Sequence, residues 1–541
     1  MWNEIFYQGI MPALSVIGSA LFMVVFFGLC VFIHELGHFL AAKACGLHVV
    51  AFSIGFKKIW GKKIGGVEYR IGCIPFGGYV DLPQIDATGD PKDENGNPLP
   101  KASPWARIVS AFAGPLFNIL FGLFLGCFIW IYGLPQDTPK MKEFKVLSVE
   151  EDSPEYRAGL RKGDVIVKLN GKKFENTWSG FVRDIMLDVG DTRLDILRDG
   201  EPMQIVYQTV INQKVAPEEG LAYPFFRPEI PVIVFPEKGS PAAEAGLLAG
   251  DRVVKVNGRE IYGADELESL VLYSCGKELS LSVLRNGTEE KEIKVIPVPD
   301  PKMPEPAYML GILLSYEKGV PEVESVNPGM PAENILKKGD LILKVDGKTL
   351  NESLTLNKYI AETKDAPVVL TVQRGEETLD LTLRPEKLVF GRIGVGYMIR
   401  TYPNPIQQFE NVLVLTYKSL RGVLTGIRNK LGFEEKHTTL KPSHFSGPIG
   451  IGRYLFVSVH RGSLLLGINL VVLITYNLGL LNLMPIPVLD GGHIVLALYE
   501  LVFRRPLPAK WLQPVTVVFV AFLVMFMLFV SVFDVKKMFG L

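Results

Sequence analysis

The chain has 541 residues with 57 Lys+Arg and 57 Asp+Glu, so its formal net charge is zero and a nucleic-acid partner is not expected. Mean hydropathy is +0.24 although 21% of residues are charged, so the apolar residues must be gathered into membrane spans beside soluble domains. The five cysteines (Cys30, Cys45, Cys73, Cys127, Cys275) have no CxxC spacing, which argues against a disulfide framework and against a cysteine zinc site.

The first apolar stretch runs from about Leu14 to Cys45, long enough to cross a bilayer and too long, without a small-residue cleavage site, for a removable signal peptide. Inside it stands His34-Glu35-Leu36-Gly37-His38. On a helix the two histidines lie one turn apart on one face, where both can bind a single Zn²⁺, and Glu35 is close enough to act on a water at the metal. Ionisable groups are costly in hydrocarbon, so their presence there reads as functional.

Residues 49–80 alternate like strands around Gly65-Gly66 and include Val67-Glu68-Tyr69-Arg70-Ile71. A hairpin directly after the zinc helix would offer an edge to an unwound substrate segment, with Tyr69 as a candidate substrate contact; an ordinary cytoplasmic hairpin is the plainer alternative. A second span runs from about Ile108 to Tyr132, a third from Ser463 to Leu483 and a fourth from Val515 to Phe533. Lys and Arg are concentrated between Lys43 and Arg107, and again at Arg504, Arg505 and Lys510, which places both loops in the cytoplasm. Lys536 and Lys537, and the basic residues from Lys418 to Lys441, pull the other way. With that orientation the stretch from Gly133 to Arg461 is extracytoplasmic.

That stretch contains a repeat. Ser153-Pro154-Glu155 leads to Gly163-Asp164 and Asn170-Gly171, Ser240-Pro241-Ala242 to Gly250-Asp251 and Asn257-Gly258, and Met330-Pro331-Ala332 to Gly339-Asp340 and Asp346-Gly347. Each copy reads as a short helix, an alternating strand and a tight turn. The pattern resembles bacterial PDZ domains, here expected at 141–215, 222–300 and 306–400. That resemblance implies binding of extended peptides or free C-termini, with Tyr308-Met309-Leu310-Gly311-Ile312 as the carboxylate loop of the third copy; inert spacers are the alternative. Within 404–460, Ile406, Phe409, Leu413, Leu420, Leu424, Ile427 and Leu431 recur at helical spacing, which reads as an interfacial amphipathic helix or as one packed on the last repeat.

The third metal ligand is sought in Asn482-Leu483-Met484-Pro485-Ile486-Pro487-Val488-Leu489-Asp490-Gly491-Gly492-His493. Two prolines break the third span, and irregular backbone at that depth belongs to a polar cavity wall. Asp490 is the candidate ligand, because two histidines and a carboxylate leave a fourth position open for water; His493 is the competitor.

These motifs, with Gly114-Pro115-Leu116-Phe117-Asn118 in the second span, resemble the site-2 protease family over nearly the whole chain. The resemblance implies a zinc endopeptidase of a bacterial inner membrane that cuts single-span membrane proteins, such as anti-sigma factors or remnant signal peptides. It implies His34, His38 and Asp490 as ligands, Glu35 as base, and Asn482, Pro485 and Pro487 as shapers of the substrate groove. Bacterial members of this type usually carry two PDZ domains, where this chain reads as three. The expected architecture is a polytopic α-helical membrane protein with four transmembrane helices, a membrane-associated β-hairpin and inserted β-rich PDZ-like domains. Residues 1–135 and 461–541 form its membrane part. A membrane scaffold with a structural metal and a zinc transporter are the alternatives from other classes.

Overall fold

The structure is a computed structural model that describes residues 11–85, 91–93, 95–136, 138–215, 220–303, 306–315, 320–327, 329–350, 355–433 and 435–539; residues 1–10 of the first expected segment lie outside these. Among the described residues, four helices are long and apolar enough to cross a membrane: Ser15–Ala44, Pro104–Tyr132, Leu464–Asn482 and Lys510–Met538. They lie within α1 (Met11–Ala44), α2 (Pro104–Tyr132), α5 (Leu464–Asn482) and α7 (Ala509–Phe539). Outside the repeats they are accompanied by α3 (Pro405–Lys430), α4 (Pro448–Val457) and α6 (Asp490–Phe503).

The second span, α2, packs against α1, α5 and α6. Close approach rests on its glycines, since a Cβ on Gly122 would stand 2.5 Å from the Tyr476 ring and one on Gly126 2.9 Å from Gln408 Oε1. Tyr476 is fully buried with Leu125, Ile129, Val471 and Val472. The amphipathic helix α3 packs on α2 and α5 through Phe409 and Val412, which join the core around Tyr476, and through two hydrogen bonds: Gln408 donates to the Gly126 carbonyl at 3.0 Å and Thr416 to Asn477 at 2.7 Å. Its apolar residues Ile406, Leu413, Leu424 and Leu431 stay exposed. Lys418 reaches Asp184 of the first repeat at 2.7 Å, so α3 is tied to that repeat, where packing on the last one had been the alternative. The last span is held by Asp534, which accepts the backbone N–H groups of Gly447 and Gly450 at the start of α4, both at 2.9 Å.

β1 (Ala51–Ile64) and β2 (Val67–Asp81) form the hairpin after α1. Its second strand curls back, so Phe52 pairs with Tyr69 on one side and with Val80 on the other. Gly78–Asp81 therefore forms an edge of this sheet, while Tyr69, paired also with Lys62, is interior.

Each repeat is a five-strand path around its own core. In each, a buried Asp accepts two hydrogen bonds from an Arg that lies 34 residues on: Asp164 from Arg198, Asp251 from Arg285 and Asp340 from Arg374, all at 2.7–2.9 Å. Two boundaries differ from the sequence reading. Phe226–Pro228, expected in the second repeat, closes the first repeat's sheet against Phe144–Val149. Val395–Gly396, expected in the third, closes the second's sheet against Val232–Pro236. Each segment goes where its backbone finds hydrogen-bond partners. The third repeat is thus inserted within the second, and the pairs Val298–Pro299 with Gly391–Arg392 and Ala307–Met309 with Glu386–Leu388 form its stem. The three repeats together are joined to the rest through a similar neck, where Leu134–Gln136 pairs with Ile399–Thr401.

Candidate metal centre

The α1 helix places His34 and His38 on one face with their Nε2 atoms 3.2 Å apart. Asp490 begins α6 and brings Oδ2 to 3.3 Å from His34 Nε2 and Oδ1 to 3.4 Å from His38 Nε2. One ligand atom from each of the three lies within 4.8 Å of the others. Acid and imidazole nitrogens turned on one point form a donor set that fits Zn²⁺, with three protein ligands and an open fourth position.

The far sides of both rings are held. His38 Nδ1 donates to the Ser110 carbonyl at 2.7 Å, which leaves Nε2 as the lone pair aimed at the centre. Asn118, fully buried on α2, places its amide 3.1 Å from His34 Nδ1, and its Oδ1 has no partner among the described residues. A half-turn of that amide puts Oδ1 on the Nδ1 hydrogen that a metal-binding His34 carries, satisfying both groups. Gly114 gives His38 its space, since a Cβ there would lie 2.2 Å from Nε2. The Gly114 to Asn118 run thus serves as support for the two histidines. A buried Asn within an apolar span was the available signal, and the sequence reading did not use it as a site residue.

Asp490 reaches the centre because the chain breaks after Asn482. Gly491 and Gly492 belong to the first turn of α6. They are bare so that the connecting backbone can lie against the helix: a Cβ on Gly491 would meet the Leu483 and Met484 carbonyls at 2.3 Å, and one on Gly492 the Ile486 carbonyl at 2.2 Å. His493, one turn along, falls outside the three-residue cluster but lines both the cavity of the centre and the adjoining one.

Glu35 shares a cavity of about 270 Å³ with His34, His38, Asp490 and the edge residues Gly78, Tyr79 and Val80. Gly78 lets that edge come close, because its Cβ would be 3.0 Å from Glu35 Cγ. Arg70 donates to the Tyr79 hydroxyl at 2.8 Å, reaching across the Ala51–Ile54 stretch that lies between the two strands. Asn482, expected in the substrate groove, has its Nδ2 3.3 Å from His34 Nε2, at the centre itself. Pro487 lines a second cavity of about 530 Å³ with Val488, His493, Arg107 and Glu500, and Pro485 is exposed. Tyr69 is not brought to the site. It packs on Phe39 and Phe52, with ring centroids at 6.0 and 6.1 Å, because its strand is interior to the curled sheet and the edge belongs to Gly78–Asp81.

Comparison with known proteins points to the same metal. A Chlamydia pneumoniae protein that carries zinc metalloprotease in its name is 26% identical over 644 residues, covering 95% of this chain and 98% of the relative. The regulator of sigma E protease of Haemophilus influenzae is 25% identical, covering 88% and 89%. The regulator of sigma-E protease RseP of Salmonella typhimurium is 24% identical, covering 90% and 91%. Residues 22–526 match peptidase family M50. This chain belongs to that family, the site-2 protease type of zinc metalloendopeptidase.

Proposed function

We propose that this protein is an intramembrane endopeptidase of a bacterial inner membrane that cleaves transmembrane segments of single-span proteins, such as anti-sigma factors or remnant signal peptides. The observation that carries this reading is a three-ligand centre, built from residues of a membrane-length helix and a broken one, with Glu35 and a sheet edge in the same cavity. His34, His38 and Asp490 would hold the zinc, which supplies the Lewis acidity that makes a water nucleophilic and polarises the scissile carbonyl. Glu35 takes the water's proton and delivers it to the departing amide nitrogen. A helical substrate hides its carbonyls in hydrogen bonds and has to unwind. The edge strand Gly78–Asp81 supports that step, because an edge backbone can pair with the unwound segment in place of its own helix. Asn482 and the Pro487 wall position the segment beside the ligands, and the hairpin lies against the bilayer.

The three repeats are PDZ-like and extracytoplasmic in this reading, and act as a filter between spans two and three that admits substrates already shortened by another protease. Mass spectrometry of membrane peptides from cells carrying wild-type or Glu35→Gln protein tests the activity. Cleaved transmembrane fragments should appear only with the wild type, and identical peptide sets would remove the reading.

A further inference from the structure

The three repeats carry the same loop, and their hydrogen bonds set its register. Three residues before Ser153, Ser240 and Met330, a backbone N–H crosses to a loop carbonyl: Glu150 to Phe225 at 3.0 Å, Glu237 to Gly394 at 2.8 Å and Asn327 to Gly311 at 2.7 Å. Phe225, Gly394 and Gly311 are therefore equivalent, and each precedes the strand that closes its sheet: Phe226–Pro228, Val395–Gly396 and Ile312–Ser315. Two residues after Ser240 and Met330 come Ala242 and Ala332, whose N–H groups bond the Ile393 and Leu310 carbonyls, both at 3.0 Å. In the first repeat that position is Glu155.

Loops of bare backbone N–H groups at the mouth of a groove are how proteins capture a terminal carboxylate. In the second repeat, Gly394 takes φ +70°, and the loop opens on a cavity of about 590 Å³ between Ala264–Leu272 and Arg392–Val395. Arg392, paired with Glu237, and Lys302 share its lining with Asp265, Glu268 and Asp300, so the capture of a carboxylate falls to the loop's backbone N–H groups. The short strand Val395–Gly396 ends the sheet and leaves an edge for an added peptide. The first repeat differs at each point. Pro224 has no N–H, Phe225 lacks the positive φ, and the Phe225 N–H is spent on Glu155 Oε1 at 3.3 Å. Glu155 is 2% exposed, an expensive place for a carboxyl unless it substitutes for something.

We propose that the repeats are divided in function: the second takes the free C-terminus of a peptide, and the first is closed to such ligands by its own Glu155, which sits where a terminal carboxylate would. This rests on the PDZ-like reading above. The first repeat, tied to α3 through Asp184 and Lys418, is left as a structural mount. The third keeps the loop glycine, Gly311 at φ +78°.

The test uses the full-length protein in lipid nanodiscs, offered a random heptapeptide library with free carboxyl termini and a photoreactive N-terminal group, and the same library amidated. Free acids should be retained about tenfold over amides, the equivalent of one hydrogen bond to a charged group. Crosslinks should fall in 264–272 and 391–397. Ala242→Glu, which transplants the plug, should abolish the preference, and Glu155→Gln should leave it unchanged. Crosslinks around Phe225 would overturn the division while keeping the PDZ-like reading. So would a preference that survives Ala242→Glu and disappears in Ala332→Glu. Retention of neither library would remove the peptide-binding reading itself, and the division with it. The crosslink map of the unaltered protein decides the matter even where a variant fails to fold.

Discussion

Glu35→Gln keeps the size and the polarity of the side chain and removes only its capacity to accept a proton. Zinc content is expected to stay at the wild-type level while turnover of a transmembrane substrate falls by about a hundred- to ten-thousand-fold, the range of a lost general base. Asp490→Asn replaces an anionic ligand with a weak neutral one, so metal content and activity should fall together. His493→Ala, outside the three-residue cluster, should retain its zinc. Full zinc in the Asp490 variant and loss in the His493 variant, read by metal analysis of purified protein, would reverse the assignment. Asn118 acts through His34, so Asn118→Ala should weaken zinc binding by about ten- to a hundredfold. Competition with a chelator measures that loss without reference to activity. The histidines and Glu35 were legible because helical spacing alone puts both imidazoles on one face. Asp490 was legible because two prolines and two glycines announce irregular backbone. Ser110 was invisible, since it contributes a backbone carbonyl and any residue has one. Tyr69 was misplaced because an alternating run does not say which of its strands will lie at the edge.

Among the elements, α7 is hydrogen-bonded to the start of α4 through one carboxylate, that of Asp534. Asp534→Ala leaves the Gly447 and Gly450 N–H groups buried without a partner, at a cost of roughly 1–3 kcal/mol for each unsatisfied group. The last span should loosen from α4, seen as slower disulfide formation between cysteines introduced on α4 and α7 than in the same cysteine pair without the substitution. Asp534→Asn keeps an acceptor oxygen and should be milder. In the second repeat, the Arg285 guanidinium bonded to Asp251 holds that carboxyl below its ordinary value. A folded value below the unfolded one means the pair stabilises the repeat above about pH 4, the usual carboxylate range, and that this stability is lost as pH falls through the lower, folded value. Hydrogen exchange in the strand Leu279–Arg285 should therefore rise on acidification, and Asp251→Asn should flatten that rise while lowering stability at neutral pH. The four spans were legible within a few residues at most ends, since length and apolar composition define them. α6 was not, because its residues follow a proline-broken segment and its helical start is stabilised by backbone packed on Gly491 and Gly492.

At the scale of the molecule, the repeats were recognisable from their helix, Gly-Asp and turn signals, and the Asp–Arg pairs 34 residues apart are a further signal that the sequence held. Their true borders were hidden, because a closing strand that pairs across the whole third repeat, as Val395–Gly396 does with Val232–Pro236, leaves no local mark. The neck of Leu134–Gln136 and Ile399–Thr401 makes a clean excision possible. Replacing residues 138–397 with a short Gly-Ser turn should leave the zinc centre loaded and allow cleavage of substrates that keep intact extracytoplasmic domains. Unchanged selectivity in a reconstituted assay would make the repeats spacers. The neck has a consequence for how such proteins change over generations. Everything beyond it can lengthen, shorten or be exchanged while the end of α2 and the start of α3 stay where they are. The third repeat, seated on its own stem inside the second, is growth of this kind: a new module accommodated from within, with no demand placed on the membrane part that carries the chemistry.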